Sequence, residues 1–171
     1  MKKLAIYSII LSVAFGSCTK LDVEVESELT PSNFPTNEES FTAATGPVYT
    51  KLRSSYAVDY WRMQELSTDE AIIPARDGNY DDGGQYRFIH YHTWTADHPY
   101  VKSVWEWGFG GINSANRIIS LFESSPESKA RTTALAEMRT MRALYYFYMM
   151  DLYGNVPIIK EAIIKDLPAT A

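Results

Sequence analysis

Between Leu66 and Pro99 the chain collects the side chains best suited to chemistry: Asp69, Glu70, Arg76, Asp77, Asp81, Asp82, His90, His92 and His98, interleaved with Tyr80, Tyr86, Tyr91 and Trp94. Four chemistries compete for them. Asp77-Gly78-Asn79-Tyr80-Asp81 begins like a calcium loop, with oxygen ligands at the first, third and fifth positions. Such a loop needs glycine sixth and a bidentate glutamate twelfth; here Asp82 and Phe88 stand there, and the stretch reads as an acidic turn without metal. His90-Tyr91-His92 places two imidazoles on one side of an extended segment. A zinc site needs more ligands than that, and no cysteine or His-x-x-x-His helix supplies them.

Paired carboxylates could divide the acid and base work of a glycosidase if held about 5–10 Å apart. Asp69, Glu70, Asp81 and Asp82 are available, but acids paired in a loop are commonly solvated, and there is no serine elbow. Gly108-Phe109-Gly110-Gly111 lacks the G-x-G-x-x-G spacing and the preceding strand of a dinucleotide loop. The chain is therefore read as a non-enzyme with no cofactor and no bound metal. What remains is a set of flat rings, Tyr80, Tyr86, Trp94 and Tyr91, among Arg76, Asp81, Asp82 and Gln85. Sugar rings present an apolar C–H face and a hydroxyl rim, so aromatic platforms beside planar hydrogen-bonding groups suit them. The plainer alternative is that the rings cap helices, since most aromatics are core.

The elements that must position this loop are helical. Thr36 with Glu39 has capping-box spacing, and Phe41, Ala44, Val48, Leu52 and Tyr56 follow at helical intervals. Gly46-Pro47 inside this run predicts a kink or break; the helix should end by Ser67 or Thr68. The stretch from Pro74 to Pro99 has no helical period and is expected to be a long irregular loop. Asp97 or His98 before Pro99 opens a second helix, Tyr100 to Phe122, whose small residues Gly108, Gly111 and Ala115 would let a neighbour approach closely. Ser124 with Glu127, and Pro126 in the first turn, predict a third helix from Pro126 to Tyr153, roughly 40 Å long at about 1.5 Å per residue. Leu135, Met138, Met141 or Arg142, Tyr145, Met149 and Leu152 share one of its faces, and Gly154 with Pro157 stops it. The last two helices make an αα-hairpin. The residues after Pro157 are too few to close anything, so the Leu-Met-Tyr face is expected to stay partly uncovered.

Composition sets outer bounds. Of 171 residues 46% are hydrophobic, enough for one folded unit with a core. The formal charge of −5 offers no basic patch for phosphates, so nucleic acid is not an expected partner. Met1-Lys2-Lys3 and the apolar run Leu4–Phe15 form a secretory signal too short for a spanning helix. Cys18, the one cysteine in the chain, follows Gly16-Ser17 and resembles the acylated cysteine of a bacterial lipobox. Cleavage before it would remove Lys2 and Lys3 from 16 basic groups facing 21 acidic ones, moving the formal charge from −5 to −7. Asp22, Glu24, Glu26 and Glu28 alternate with Leu21, Val23 and Val25. We read this row as a solvated tether, and it resembles the surface-export signal of Bacteroidetes lipoproteins.

Four stretches carry a wider resemblance: LSTDEAIIP (66–74), DGGQYRFIHYHTWT (82–95), GINSANRII (111–119) and EMRTMRALYYFYMMDLYGNVP (137–157). In that order they resemble the N-terminal part of the SusD/RagB family of nutrient-binding outer-membrane lipoproteins. The resemblance implies an all-α fold of tetratricopeptide-like helical hairpins with a long irregular ligand-binding loop, here truncated as a fragment or a prematurely ended copy. It divides the chain into a lipoprotein signal (1–17), a lipidated acidic tether (18–35) and the first part of the helical domain (36–171). It further implies a surface-exposed, lipid-anchored outer-membrane protein that binds oligosaccharide and passes it to a SusC-like TonB-dependent transporter. Ligand contacts carried over by the resemblance fall on Asp69, Arg76, Trp94 and Asp81, to which the ring reading adds Tyr86. The alternatives are a helical-repeat scaffold that only contacts another protein, or a RagB-like component handling peptides. If Cys18 is acylated, metabolic labelling with a fatty acid should mark the native chain and fail on Cys18→Ser; absence of label on the native chain would remove the anchor.

Overall fold

The computed structural model describes residues 34–77 and 82–162, so the signal, Cys18, the tether up to Asn33, Tyr80 and Asp81 lie outside the described residues. Regular structure there is helical, apart from one isolated bridge at Arg76. Helix α1 spans Glu38–Ser55 and passes through a π-helical turn, Tyr56–Tyr60, into α2, Trp61–Glu65. A short 3₁₀ turn, Asp82–Gly84, leads into α3, Gln85–His90; α4 covers Pro99–Ser124 and α5 Lys129–Tyr153. The all-α expectation holds, and α4 with α5 forms the expected hairpin, across which α1 packs.

The hairpin is close because two glycines permit it. A Cβ on Gly111 would lie 2.1 Å from Tyr145 Cε1, and one on Gly108 would lie 2.0 Å from Met149 Sδ. Tyr145 and Met149 are fully buried in that space. Around them Val104, Trp107, Ile112, Ala115, Ile119 and Phe122 of α4 meet Ala134, Leu135, Met138 and Met141 of α5, while α1 adds Phe41, Ala44 and Val48. The predicted face of the third helix thus resolves to Met141 rather than Arg142. The Leu-Met-Tyr face is not left uncovered, because α4 and α1 bury it. The exposed apolar groups of α5 are Phe147 and Met150, on its other side.

Several boundaries differ from the sequence reading. In α1, Asn37 rather than Thr36 is the N-cap: its side chain accepts from Ser40 N, while the Ser40 hydroxyl accepts from Asn37 N (2.9 Å each). The assignment runs unbroken through Pro47, since the buried row Phe41, Ala44, Thr45, Val48 continues across it and packing outweighs one lost backbone bond. The break falls instead at Ser55 (φ −126°, ψ −7°), where the π turn begins. Four residues before it, Lys51 O is capped by Trp107 Nε1 at 2.7 Å and by Ser54 Oγ at 2.8 Å.

The third long helix starts at Lys129, not Pro126. Ser128 is its N-cap, accepting from Arg131 N at 3.1 Å. Ser124 and Ser125 belong to the end of α4, where their hydroxyls donate to Leu121 O. Arg131 fixes the corner by donating from Nε to Phe122 O (2.6 Å) and from Nη2 to Glu123 O (3.0 Å), so a cation meets the negative end of α4.

The residues after Pro157 also do more than expected. Asn116, 2% exposed, donates from Nδ2 to Ile159 O (3.0 Å) and Glu161 O (3.1 Å). Tyr146 OH accepts from Ile159 N and donates to Ile159 O, and Arg142 Nη1 donates to Asn116 Oδ1 at 2.7 Å. The segment is thereby strapped back along the hairpin.

Replacing Gly111 by alanine drives a methyl into a ring that cannot yield: the Tyr145 hydroxyl donates to Val48 O at 2.8 Å and its edge meets Trp107. We expect thermal denaturation to show a loss of about 3 kcal/mol for Gly111→Ala, the upper end of ordinary overpacking. Gly108→Ala should cost less, because the Met149 thioether can swing aside.

Candidate functional site

The loop between α2 and α4 is held by a small second core. Leu66, Ile89 and Tyr100 are buried together, with Met63, Ala71, Ile73 and Tyr86 packed against them. Ile89 reaches this core because Asp82, Gly83 and Gly84 all take positive φ (44°, 62° and 81°), which turns the chain sharply into α3. Glycine adopts that geometry without penalty, and aspartate tolerates it. Part of the expected irregular loop is therefore helix, for which six residues are too few to display a period.

Polar contacts lock the loop to the start of α4. Tyr100 OH donates to Asp82 Oδ2 at 2.6 Å. Burial first, and this bond second, hold the Tyr100 phenol protonated well above its ordinary range. His98, 5% exposed, is the N-cap of α4: Nδ1 accepts from Tyr100 N at 3.2 Å, so Nε2 carries the proton given to Gln85 O at 3.1 Å. His92 Nε2 lies 2.6 Å from Ser67 O. His90 ends α3 and His92 sits in a turn at φ 56°, so the two imidazoles do not share one side of an extended segment. Among the described residues no three His, Cys, Asp or Glu groups come together as a metal site requires.

Above this support a shallow groove of about 330 Å³ opens beside Trp94, bordered also by Phe88, Gln85, Asp97 and His98. Trp94 is 40% exposed and braced edge-on by His92 at 5.3 Å; Phe88 is 46% exposed. Two rings and nearby carboxamide and carboxylate groups can offer a flat apolar face with hydrogen bonds at its edge. Of the residues expected to contact ligand, Trp94 lies in this groove, with Gln85 and His98, also singled out in the sequence, beside it. Tyr86 stacks on Tyr100 (5.9 Å, 28° between planes), so it props the loop from below. Asp69 and Arg76 are exposed on the segment leading out of α2, and neither borders the groove.

Two contributors escape a linear reading. Phe88 follows the Asp-Gly-Gly turn by only four residues, and its exposure depends on α3 forming. Arg62 lies before the loop, yet its guanidinium sits over the Tyr100 ring at 4.9 Å and the Tyr86 ring at 5.7 Å while paired to Asp59 at 3.0 Å.

Comparison with known proteins fits this architecture. A SusD-like family model, described as starch-binding and associating with the outer membrane, matches residues 21–167. The chain belongs to the SusD-like family. A SusD-like protein of Bacteroides ovatus is 26% identical over 160 residues, covering 88% of this chain and 27% of the relative. SusD-like protein P2 of Formosa agariphila is 26% identical over 174 residues, covering 95% of this chain and 32% of the relative. The chain thus spans about a third or less of the length of these relatives. No solved structure matches it. No helix among the described residues is long and apolar enough to cross a membrane.

Tyr100→Phe deletes the Asp82 bond and leaves the ring packing in place. It should destabilise the fold by about 1–2 kcal/mol, as loss of a charge-assisted hydrogen bond does. It should also speed amide exchange across residues 85–92 with helical circular dichroism unchanged; unaltered exchange there would show that the loop is held by packing alone.

Proposed function

We propose that the chain is the N-terminal part of a glycan-binding lipoprotein that sits at the outer face of the outer membrane and passes oligosaccharide to a SusC-like TonB-dependent transporter. The observation that carries the proposal is that exposed Trp94 and Phe88 border one groove together with Gln85 and Asp97. A solvent-facing tryptophan braced by a histidine retains little rotamer freedom to lose on binding, which favours a ligand such as a pyranose that offers an apolar C–H face. Asp69, Arg76 and Asp81 are proposed to contact the ligand around that platform, with Tyr86 supporting it. In this reading the protein binds oligosaccharide and does not hydrolyse it, in keeping with the starch-binding description of the matching family. Acylation of Cys18 would tether it, and the acidic row after Cys18 would hold the helical body off the bilayer.

Calorimetric titration with maltoheptaose and other neutral oligosaccharides tests the reading. One stacked aromatic is worth about 1–1.5 kcal/mol, so Trp94→Ala should weaken binding by roughly tenfold. Unchanged affinity in the variant would sink the loop assignment, and tighter binding of peptides than of glycans would favour peptide uptake.

A further inference from the structure

We propose that a second saccharide subsite lies at the π-helical turn, where the end of α1 passes over α5. An open groove of about 790 Å³ runs between this turn and α5 and shares no lining residue with the groove at Trp94. Its walls are Tyr56, Trp61 and Phe147, exposed by 45%, 42% and 54%. Tyr60 forms the base, stacked on Tyr56 at 5.3 Å with 13° between planes and backed by Tyr148 and Trp107.

The turn itself explains why these rings meet. Five residues along an ordinary α-helix rotate a side chain about 140° away from its starting direction. Bonding from i to i+5 instead carries Trp61 toward the face of Tyr56. Wide turns of this kind recur at functional sites.

The polar groups select the ligand. Gln64 Nε2 donates to Asp151 Oδ2 across the groove at 2.8 Å and lies 3.1 Å from Tyr60 OH. The carboxamide oxygen of Gln64 and the second carboxylate oxygen of Asp151 remain as acceptors, already fixed in place by each other. No lysine, arginine or histidine borders the groove, so it offers nothing to an anionic ligand. Exposed rings with a rim of acceptors match the apolar face and hydroxyl edge of a neutral pyranose. A seat for another helix would not need a hydrogen-bonded amide and carboxylate crossing it. The choice of saccharide rests on the carbohydrate reading above, whereas the geometry of the groove does not.

The four tryptophans make the two sites separable. The 171-residue chain is labelled with 5-fluorotryptophan in a detergent without a sugar headgroup, and each fluorine resonance is assigned by a Trp→Phe variant. Maltoheptaose, cellohexaose and laminarihexaose are then added in turn. Movement of the Trp61 resonance is expected, with or without that of Trp94. Movement of Trp94 alone overturns the second subsite and leaves the loop reading standing; movement of neither overturns both. Trp61→Ala should weaken oligosaccharide binding about tenfold and Gln64→Ala about fivefold, as loss of one stacked ring and one hydrogen bond would. A fall in melting temperature for Trp61→Ala with affinity unchanged in both variants would assign the groove to packing and overturn the proposal.

Discussion

The packing of the three long helices depends on the absence of two side chains. Gly108 and Gly111 let Met149 and Tyr145 enter the surface of α4 itself, so the hairpin is not merely two helices in contact but one interlocked slab. Once Tyr145 is inserted, its hydroxyl reaches Val48 O on α1, and Trp107 reaches Lys51 O three residues on. Both phenol and indole must satisfy their polar atoms inside the core, and both do so on the backbone of α1. Burial pushes the Tyr145 phenol well above its ordinary range, which keeps the donor proton in place. The two glycines therefore locate α1 as well as the hairpin.

That placement propagates outward to the loop. Because α1 is fixed by Trp107, the π turn after Ser55 and the short α2 beyond it are delivered to the start of α4. There Asp59 receives both Arg62 and Ser103. Arg62 lies in turn over Tyr100 and Tyr86. A route of direct contacts thus runs from the hairpin core to the underside of the loop that carries Trp94.

The long elements were legible because their physics is periodic. Val104, Gly108, Ile112, Ala115, Ile119 and Phe122 repeat at helical spacing, and the close approach at Gly108 and Gly111 could be read from residue size alone. What escaped was decided by competition between neighbours. Thr36 and Asn37 are both good caps, as are Ser124 and Ser128, and only the position of Arg131 against the end of α4 selects the latter. The strap after Pro157 was illegible because its partners, Asn116, Arg142 and Tyr146, come from two other helices. In the loop, aromatic content pointed to Trp94 but gave no means of separating it from Tyr86. That distinction is made by Tyr100 and Arg62, which take one ring as a packing partner and leave the other in solvent.

The strap has a meaning beyond its hydrogen bonds. Asn116, Tyr146 and Arg142 hydrogen-bond to main-chain atoms of residues 159–161, while Ile158 is 75% exposed and Lys160 also faces solvent. The information that sets this segment's path is therefore stored in the hairpin and not in the segment. Substitution of the exposed Ile158 or Lys160 leaves these main-chain bonds in place, so the surface presented there can change without altering the path of the backbone.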